Sequence, residues 1–380
     1  MHILIYNWRD LAHPYAGGAE VYTDRVATEW VRQGHKVTLF TSASPGLPEV
    51  EVAHGGYAIV RRGTRHGVYR EARRYWKREG KGKFDLVVDE VNTRPFGCPR
   101  FVDGVPVIAL IHQVCREIWD YETKWPVSWL GKYILEPLWL RSYRHTSVVT
   151  VSESSRRSLL DYGITQVTVV PEGMDAVEEI PGSRQKEEKP TLIFVGRLTR
   201  NKRPQEALRV FEVLSRMIPG LQMWIVGGGP EETRLMASAP DGVQFVGRCS
   251  EQTKRELLGR AHVLVATSVR EGWGLVVSEA AREGTVSCAY DVAGLRDSVI
   301  ASGGMLSGED PFCLANVARE LMERSLRGEA APRLGGVVPW DEVAGRILAL
   351  VAGNQGAFGE RVANVVVGLP IQTGWDEAAS

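Results

Sequence analysis

Two glutamates eight residues apart mark the segment REGWGLVVSEAA, residues 270–281. Glu271 precedes a glycine-containing turn, and Glu279 falls in the helix predicted to follow it. Carboxylates in these two places can accept hydrogen bonds from sugar hydroxyls. The backbone N–H groups of residues 273–276 would open the helix and face an anion. The alternative interpretation is a capped helix with an exposed glutamate.

Two cations lie in the same half of the chain, in the segment VGRLTRNKRP, residues 195–204. Arg197 and Lys202 follow a predicted strand that ends at Val195, and Pro204 suits the first turn of the next helix. A guanidinium fork and an ammonium group beside a helix N-terminus make a favourable site for a diphosphate. The alternative is a solvated basic loop, but two glutamates in the same half favour the functional interpretation.

Two adjacent glycines lie in AGGAE, residues 16–20, just after the first predicted strand. Gly17 and Gly18 let a ligand approach the backbone closely, because neither carries a side chain. The N–H groups ahead of the following helix suit an anion. A tight turn between strand and helix is the alternative explanation.

The elements that must position these residues alternate along the chain. Short runs of Val, Ile and Leu, such as those at residues 3–6 and 191–195, alternate with longer stretches of helical character. Continuous apolar runs are typical of strands buried on both faces, as in a parallel sheet, and their alternation with helices predicts an α/β fold. Ligands in such folds bind beyond the carboxyl ends of the strands.

The series of strands breaks at residues 175–190, a polar segment with two prolines and no periodicity. We interpret this segment as a linker between domains. It predicts an N-terminal Rossmann-like domain over residues 1–182 and a C-terminal one over residues 183–352. A tail over residues 353–380 could pack back on the N-terminal domain. The cleft between the two domains is the expected ligand site.

The composition excludes several classes of protein. The 380 residues carry 46 Lys+Arg and 46 Asp+Glu, so the formal net charge is zero and a general nucleic-acid-binding function is not expected. A hydrophobic content of 44% excludes an intrinsically disordered chain. No apolar run reaches the ~18–20 residues that span a bilayer, and the first residues do not resemble a signal peptide. The five scattered cysteines form no CxxC motif and favour reduced thiols, so we expect a cytoplasmic protein.

Taken in order, these segments resemble glycosyltransferase family 4 (GT4), a family of retaining enzymes with the GT-B architecture. The motifs are GGAE at residues 17–20, GRLxxxK at 196–202 and E-x7-E from Glu271 to Glu279. Further similar pieces extend the resemblance over roughly residues 1–350: VSESS at 151–155, PEGMD at 171–175, VGGGP at 226–230 and VGR at 246–248. The resemblance implies two Rossmann-like domains whose parallel sheets face a central cleft.

The resemblance also implies roles for individual residues. Arg197 and Lys202 would neutralise the donor diphosphate, and Glu279 would bind the ribose of the nucleotide. Gly17 and Gly18 would approach the donor phosphate from the N-terminal domain. Glu271 and the backbone of the turn after it would hold the hydroxyls of the transferred sugar. That turn comprises Gly272, Trp273, Gly274 and Leu275.

His112 completes the predicted catalytic set of His112, Glu271, Arg197 and Lys202. It lies at the end of the predicted strand VIALIH, where the family often has a histidine near the reacting sugar. We expect it to position the transferred sugar and not to act as the general base. The alternative is a hydrogen-bonded structural histidine.

Two segments depart from the family pattern. Glu172 stands where asparagine is common, and residues 291–297 have Ala293–Gly294 and Asp297 where the family often shows two glycines and a glutamate. Both segments lie in regions that can touch donor or acceptor, so the sugar stays unassigned.

The implied activity is metal-independent transfer of a hexosyl unit from a UDP- or GDP-sugar to a hydroxyl acceptor, with retention of anomeric configuration. No DxD motif occurs, so cations are expected to stabilise the leaving diphosphate in place of a metal, and no cofactor is expected. The acceptor would be a glycan or lipid-linked saccharide, or a small natural product such as an antibiotic aglycone. The alternatives are a non-catalytic two-domain sugar-binding protein and a GT-B phosphorylase.

Two features of the N-terminal half concern the acceptor. Residues 61–83 carry ten Lys/Arg and two Glu, a net charge of +8, at a spacing that predicts a basic amphipathic helix. Residues 118–143 carry four tryptophans and three tyrosines. Either segment could contact an anionic membrane or the acceptor, or could pack against the rest of the domain. The expected location is therefore cytoplasmic, with peripheral contact at the inner membrane face as one option.

Overall fold

The computed structural model describes residues 1–14, 16–175 and 185–353. Its first half is built on eight strands: β1 (His2–Tyr6), β2 (Lys36–Thr41), β3 (Val50–Val52), β4 (Ala58–Arg61), β5 (Leu86–Glu90), β6 (Val107–Leu110), β7 (Ser147–Thr150) and β8 (Val167–Val169). They form one sheet in the order β3-β4-β2-β1-β5-β6-β7-β8. Neighbouring strands are parallel except for β3 and β4, which are antiparallel.

Six α-helices are described in this half: α1 (Gly18–Arg32), α2 (Val68–Tyr75), α3 (Ile118–Glu122), α4 (Val127–Leu130), α5 (Glu136–Leu140) and α6 (Glu153–Leu160). Shorter π-helical and 3-10 turns extend several of them, including a π-helical turn at Gly131–Leu135 that joins α4 to α5. A ninth strand, β9 (Glu172–Met174), follows and lies outside the large sheet.

Both faces of the first sheet are buried. In β1, Ile3 and Ile5 pack in the core that contains α1, whereas Leu4 and Tyr6 pack in the core that contains α2. This alternation follows from the two-residue period of a strand. Burial on both faces explains why the strands read as continuous apolar runs.

The second half has a six-stranded sheet in which all neighbours are parallel. Its strands are β10 (Thr191–Val195), β11 (Gln222–Val226), β12 (Val243–Gly247), β13 (Val263–Ala266), β14 (Val286–Tyr290) and β15 (Met305–Ser307). The order in the sheet is β12-β11-β10-β13-β14-β15. The helices are α7 (Pro204–Ser215), α8 (Glu232–Ser238), α9 (Glu251–Arg260), α10 (Leu275–Arg282), α11 (Leu295–Ala301) and α12 (Pro311–Leu326).

The chain then returns to the first half. Strand β16 (Val337–Pro339) pairs in parallel with β9, and α13 (Trp340–Gly353) packs against α1. The indole Nε1 of Trp30 donates to the carbonyl of Ala344 at 3.0 Å. The range 183–352 predicted for the second domain therefore includes a strand and a helix that pack on the first half.

Two of the sequence predictions fall on residues without described structure. The proposed domain boundary at residue 182 lies in the gap between residues 175 and 185. The proposed tail, residues 353–380, lies outside the described residues except for Gly353, the last residue described. Within the described ranges, none of the helices has the length and apolar character needed to cross a membrane.

Candidate active site

Glycines bring the two halves into close contact at the carboxyl ends of their strands. A Cβ placed on Gly272 would lie 2.9 Å from the carbonyl oxygen of His112, closer than side chains normally approach. A Cβ on Gly18 would lie 3.7 Å from Cδ1 of Leu275. Gly18 and Leu275 are the first residues of α1 and α10. The N-termini of these two helices therefore meet across the cleft.

The N-terminus of α1 already binds a carboxylate of its own chain. The N–H of Gly17 donates to Oε2 of Glu20 at 2.7 Å, and Glu20 is almost fully buried. Its other oxygen, Oε1, lies 2.9 Å from Nη2 of Arg9. This N–H is therefore engaged within the chain, while the absence of side chains at Gly17 and Gly18 leaves the backbone open to close approach by a donor phosphate.

Arg9 of the first half lies close enough to Arg197 of the second half for the two charges to interact. Burial lowers the pKa of Arg9, the carboxylate of Glu20 opposes that shift, and the charge of Arg197 lowers the pKa of Arg9 further. Arg197 itself is exposed, two residues after β10 ends. Two cations at this position can act together on a polyanion such as a diphosphate.

Lys202 and Glu271 contact each other directly. The ammonium Nζ of Lys202 forms an ion pair with Oε1 of Glu271, and that oxygen also accepts a hydrogen bond from Oγ of Ser268 at 2.6 Å. Lys202 is fixed through its backbone, because its carbonyl accepts from Oγ1 of Thr267 at 3.0 Å. The cation predicted to bind diphosphate and the carboxylate predicted to bind the transferred sugar therefore lie side by side.

Glu279 lies apart from this pair, within α10. Its Oε1 is 3.0 Å from Nζ of Lys254, which also lies 2.7 Å from Oε2 of Glu251. Burial opposes the protonated form of Lys254, but the two carboxylates raise its pKa above the ordinary value. The side chain of Glu279 is 22% exposed, so one carboxylate can bind Lys254 and still reach a ligand at the surface of the helix.

The side chain of Trp273 packs into the core and not into the cleft. Its Nε1 donates to Oγ of Ser278 at 2.9 Å, and a Cβ on Gly336 would lie 2.3 Å from its ring. The backbone of Trp273 is therefore the part of the residue that can face a donor. Gly274, the residue immediately before α10, has φ +93°, a conformation that favours glycine.

His112 is buried between two carboxylates. Nδ1 lies 3.5 Å from Oε1 of Glu172 and Nε2 lies 3.6 Å from Oε1 of Glu90, while the ring of Tyr22 packs edge-on at 4.8 Å. Burial alone would lower the pKa of His112, but Glu172 and Glu90 raise it to about 10. A protonated imidazole has no lone pair to accept a proton. This geometry favours a positioning role over that of a general base at neutral pH.

Side chains beyond the predicted set hold the two halves together. Oγ of Ser155 donates to the carbonyl of His112 at 2.7 Å and lies 3.4 Å from the carbonyl of Gly272. Arg270 Nε lies 2.8 Å from Oε2 of Glu117. Although burial raises the pKa of Glu117, the guanidinium of Arg270 lowers it overall.

The sequence reasoning did not assign three of the groups that build this site. Arg9 and Glu20 form a buried pair at the α1 N-terminus, and Glu90 is a buried charge beside His112. For two of these residues, Glu20 and Glu90, the sequence held a feature that could have identified them. Glu20 is the last residue of AGGAE, and Glu90 ends an apolar strand at the edge where ligands bind.

Comparison with known proteins gives consistent matches along most of the chain. The family described as Glycosyltransferase Family 4 matches residues 16–178, and the family described as Glycosyl transferases group 1 matches residues 176–323. D-inositol 3-phosphate glycosyltransferase of Thermobifida fusca is 26% identical over 392 residues, covering 88% of each chain. Glycogen synthase of Mycobacterium tuberculosis is 28% identical over 214 residues, which is 52% of this chain and 52% of that protein. The match to glycogen synthase thus spans about half the length of that relative.

The fold also matches solved structures. Sucrose-phosphate synthase from Thermosynechococcus elongatus superposes with a TM-score of 0.75 at 19% identity, covering 92% of this chain and 98% of that one. Two α/β halves that meet at a cleft lined by helix N-termini form the GT-B architecture of these solved structures, so the predicted fold class is confirmed. The chain belongs to glycosyltransferase family 4, the family that its motifs resemble.

Proposed function

We propose that the protein transfers a hexosyl unit from a UDP- or GDP-sugar to a hydroxyl group of an acceptor, with retention of anomeric configuration. The observation that carries this proposal is the contact between Lys202 and Glu271 beside the N-terminus of α10. A nucleotide sugar places its diphosphate directly next to its sugar. A cation and a carboxylate side by side are complementary to that junction.

The leaving diphosphate would be stabilised by charge from the protein. Arg197 and Lys202 supply two cations, and the N–H groups at the start of α10 supply a further partial positive charge. Charge placed in advance where negative charge develops lowers the barrier to departure. On this ground we propose that transfer needs neither a metal ion nor a cofactor.

Retention is proposed to follow from displacement on one face of the sugar. The bond from the anomeric carbon to the diphosphate oxygen breaks as the acceptor oxygen bonds to the same carbon, and the hydroxyl proton passes to the departing phosphate oxygen. Glu271 would orient the sugar hydroxyls, and the imidazolium of His112 would hold the sugar from the other side. Contact between the halves through Gly272 would exclude water and limit hydrolysis of the donor.

The acceptor is proposed to be a glycan or lipid-linked saccharide, or a small natural product. Relatives named for glycogen synthesis and for transfer to D-inositol 3-phosphate support a polyhydroxylated acceptor. We further propose a cytoplasmic location with peripheral contact of the basic segment, residues 61–83, with an anionic membrane. Its helix α2 buries Val68, Ala72 and Tyr75 and leaves several arginines exposed.

The test is donor binding and turnover by the purified protein. A thermal-shift screen against UDP-, GDP-, ADP- and dTDP-sugars should identify one base, because a ligand at 100 times its dissociation constant stabilises the fold by ~2.7 kcal/mol. The identified donor should then be hydrolysed slowly alone and consumed faster with an acceptor. Binding of free sugar without turnover of any nucleotide sugar would indicate a sugar-binding protein. Sugar release that requires inorganic phosphate and no nucleotide would indicate a phosphorylase.

A further inference from the structure

Between β6 and β7 the chain forms an insertion of short helices, α3 to α5, that exposes an apolar surface. Both of the strongly exposed tryptophans of the described residues lie on it. We call this surface the aromatic face. Its members are large apolar side chains exposed by 40–81%, namely Trp125, Val127, Trp129, Leu130, Tyr133, Ile134 and Leu138.

The inner side of the same insertion is well packed. The rings of Trp119 and Trp139 lie 6.4 Å apart, and Nε1 of Trp119 donates to Oε2 of Glu136 at 3.2 Å. Leu140 and Tyr143 are buried. The insertion therefore has a fixed shape. Its aromatic residues divide into a packed set and an exposed set, and packing within the domain accounts only for the first.

The exposed set has a composition that favours a membrane surface. Tryptophan and tyrosine are enriched at the membrane–water interface, where the ring meets lipid and its polar atom meets water. Two of its rings, those of Trp129 and Tyr133, lie 6.0 Å apart. A cluster of exposed apolar side chains of this size marks a surface for interaction. The exposed cations Lys124 and Arg141 flank the aromatic face along the chain.

Basic residues of α2 adjoin the insertion. Nη2 of Arg73 lies 3.9 Å from the position of a Cβ on Gly97, and the N–H of Gly97 donates to Oη of Tyr143 at 3.0 Å. The side chains of Arg70 and Arg74 are 73% and 50% exposed. These contacts place α2 at the buried end of the insertion, at Tyr143. The exposed arginines of α2, together with Lys124 and Arg141, add positive charge that suits anionic lipid headgroups.

The other end of the insertion reaches the cleft. Helix α3 packs against the 3-10 turn Arg200–Lys202, which carries the predicted diphosphate cation. Glu117, just before α3, forms the ion pair with Arg270 in the turn that leads to Glu271. One short insertion thus connects the aromatic face to the candidate active site.

We propose that the aromatic face docks on the interface of an anionic lipid bilayer and brings a lipid-linked acceptor to the cleft. The docking is inferred from the exposed residues of the aromatic face, independently of any enzymatic activity. The identity of the acceptor, in contrast, rests on the proposed glycosyltransferase activity. Among the acceptor classes above, the proposal selects the lipid-linked saccharide over the soluble natural product.

The experiment measures flotation of the full-length protein with vesicles of phosphatidylcholine alone or mixed with phosphatidylglycerol. One variant carries Trp125→Ser, Trp129→Ser and Tyr133→Ser. The matched control removes apolar side chains that are 55–65% exposed elsewhere, through Met236→Ser, Ile300→Ser and Phe312→Ser. We expect the wild type and the control to bind anionic vesicles and the aromatic-face variant to bind ~10-fold more weakly or worse. Binding should weaken in high salt.

Four results would overturn the proposal: no binding by the wild type, equal binding by the aromatic-face variant, equal loss in the control, or a wild-type dimer that dissociates in the aromatic-face variant. The last would assign the surface to a second copy of the chain, and light scattering detects it. Equal thermal shifts with nucleotide would show that the variants are folded. Donor turnover without vesicles separates failure of docking from failure of the glycosyltransferase proposal.

Discussion

Replacing Lys202 by alanine tests the proposed diphosphate site most directly. The side chain of Lys202 is 22% exposed, so its ammonium is largely shielded from water and a bond to phosphate there is charge-assisted. Loss of such a bond reduces binding free energy by about 1.5–3 kcal/mol. At about 1.4 kcal/mol per factor of ten, the Lys202→Ala variant should bind UDP or GDP about 10- to 150-fold more weakly.

The contact with Glu271 decides where in that range the result should fall. If the Lys202 ammonium must give up its ion pair with Glu271 to bind phosphate, the lost ion pair offsets part of the free energy of the new bond. The loss of binding free energy in Lys202→Ala then lies near the lower limit of that range. The Glu271→Gln variant removes that competition, so it should bind the nucleoside diphosphate at least as tightly as the wild type. The double variant then gives the coupling energy between the two side chains.

The assay is isothermal titration calorimetry with UDP and GDP. Lys189→Ala, at an exposed lysine outside the site, is the matched control and should bind like the wild type. Unchanged affinity of Lys202→Ala for both nucleotides would refute the assignment of this loop. Equal loss in the Lys189→Ala control would show a general effect of charge.

Three further predictions follow from the same geometry. Glu279→Gln should weaken binding of the nucleoside diphosphate far more than binding of pyrophosphate in competition assays, and equal losses would contradict a ribose role. Gly272→Ala should reduce donor turnover, because the added Cβ meets the His112 carbonyl at 2.9 Å and opens the cleft, whereas Gly308→Ala, with no atom within 4 Å of its Cβ, should not. The pKa of His112 is raised to about 10, so the stability it contributes is fully present below pH 6.5 and is lost as the pH rises through about 10. Urea unfolding at pH 6, 8 and 10 should show that decline, and Glu172→Gln should make it smaller; identical declines would count against Glu172 as the partner.

The sequence was a guide to the central strands of both sheets and to the edge where ligands bind. Apolar runs predict the strands because burial on both faces leaves few polar positions in them, as in β13, where all four residues are apolar and buried. Gly17, Arg197 and Glu271 were placed correctly relative to strand ends, since a loop after a parallel strand must emerge at the carboxyl edge. These inferences need only short-range periodicity and the rules of parallel sheets.

Contacts between distant parts of the chain were decided by the tertiary structure. Lys202 binds Glu271 and Lys254 binds Glu279, so two glutamates with one motif spacing take different partners. The return of α13 to the first half and the approach of Gly272 to His112 depend on how the two sheets are joined.

The aromatic segment shows the same division between sequence and structure. From composition alone, residues 118–143 were expected either to pack against the rest of the domain or to contact a membrane or the acceptor. Only the fold separated buried Tyr143 from exposed Trp125 and Trp129. The physical reason is that side-chain exposure is a property of what covers each face of a helix, and local sequence fixes the helix faces but not the neighbours that cover them.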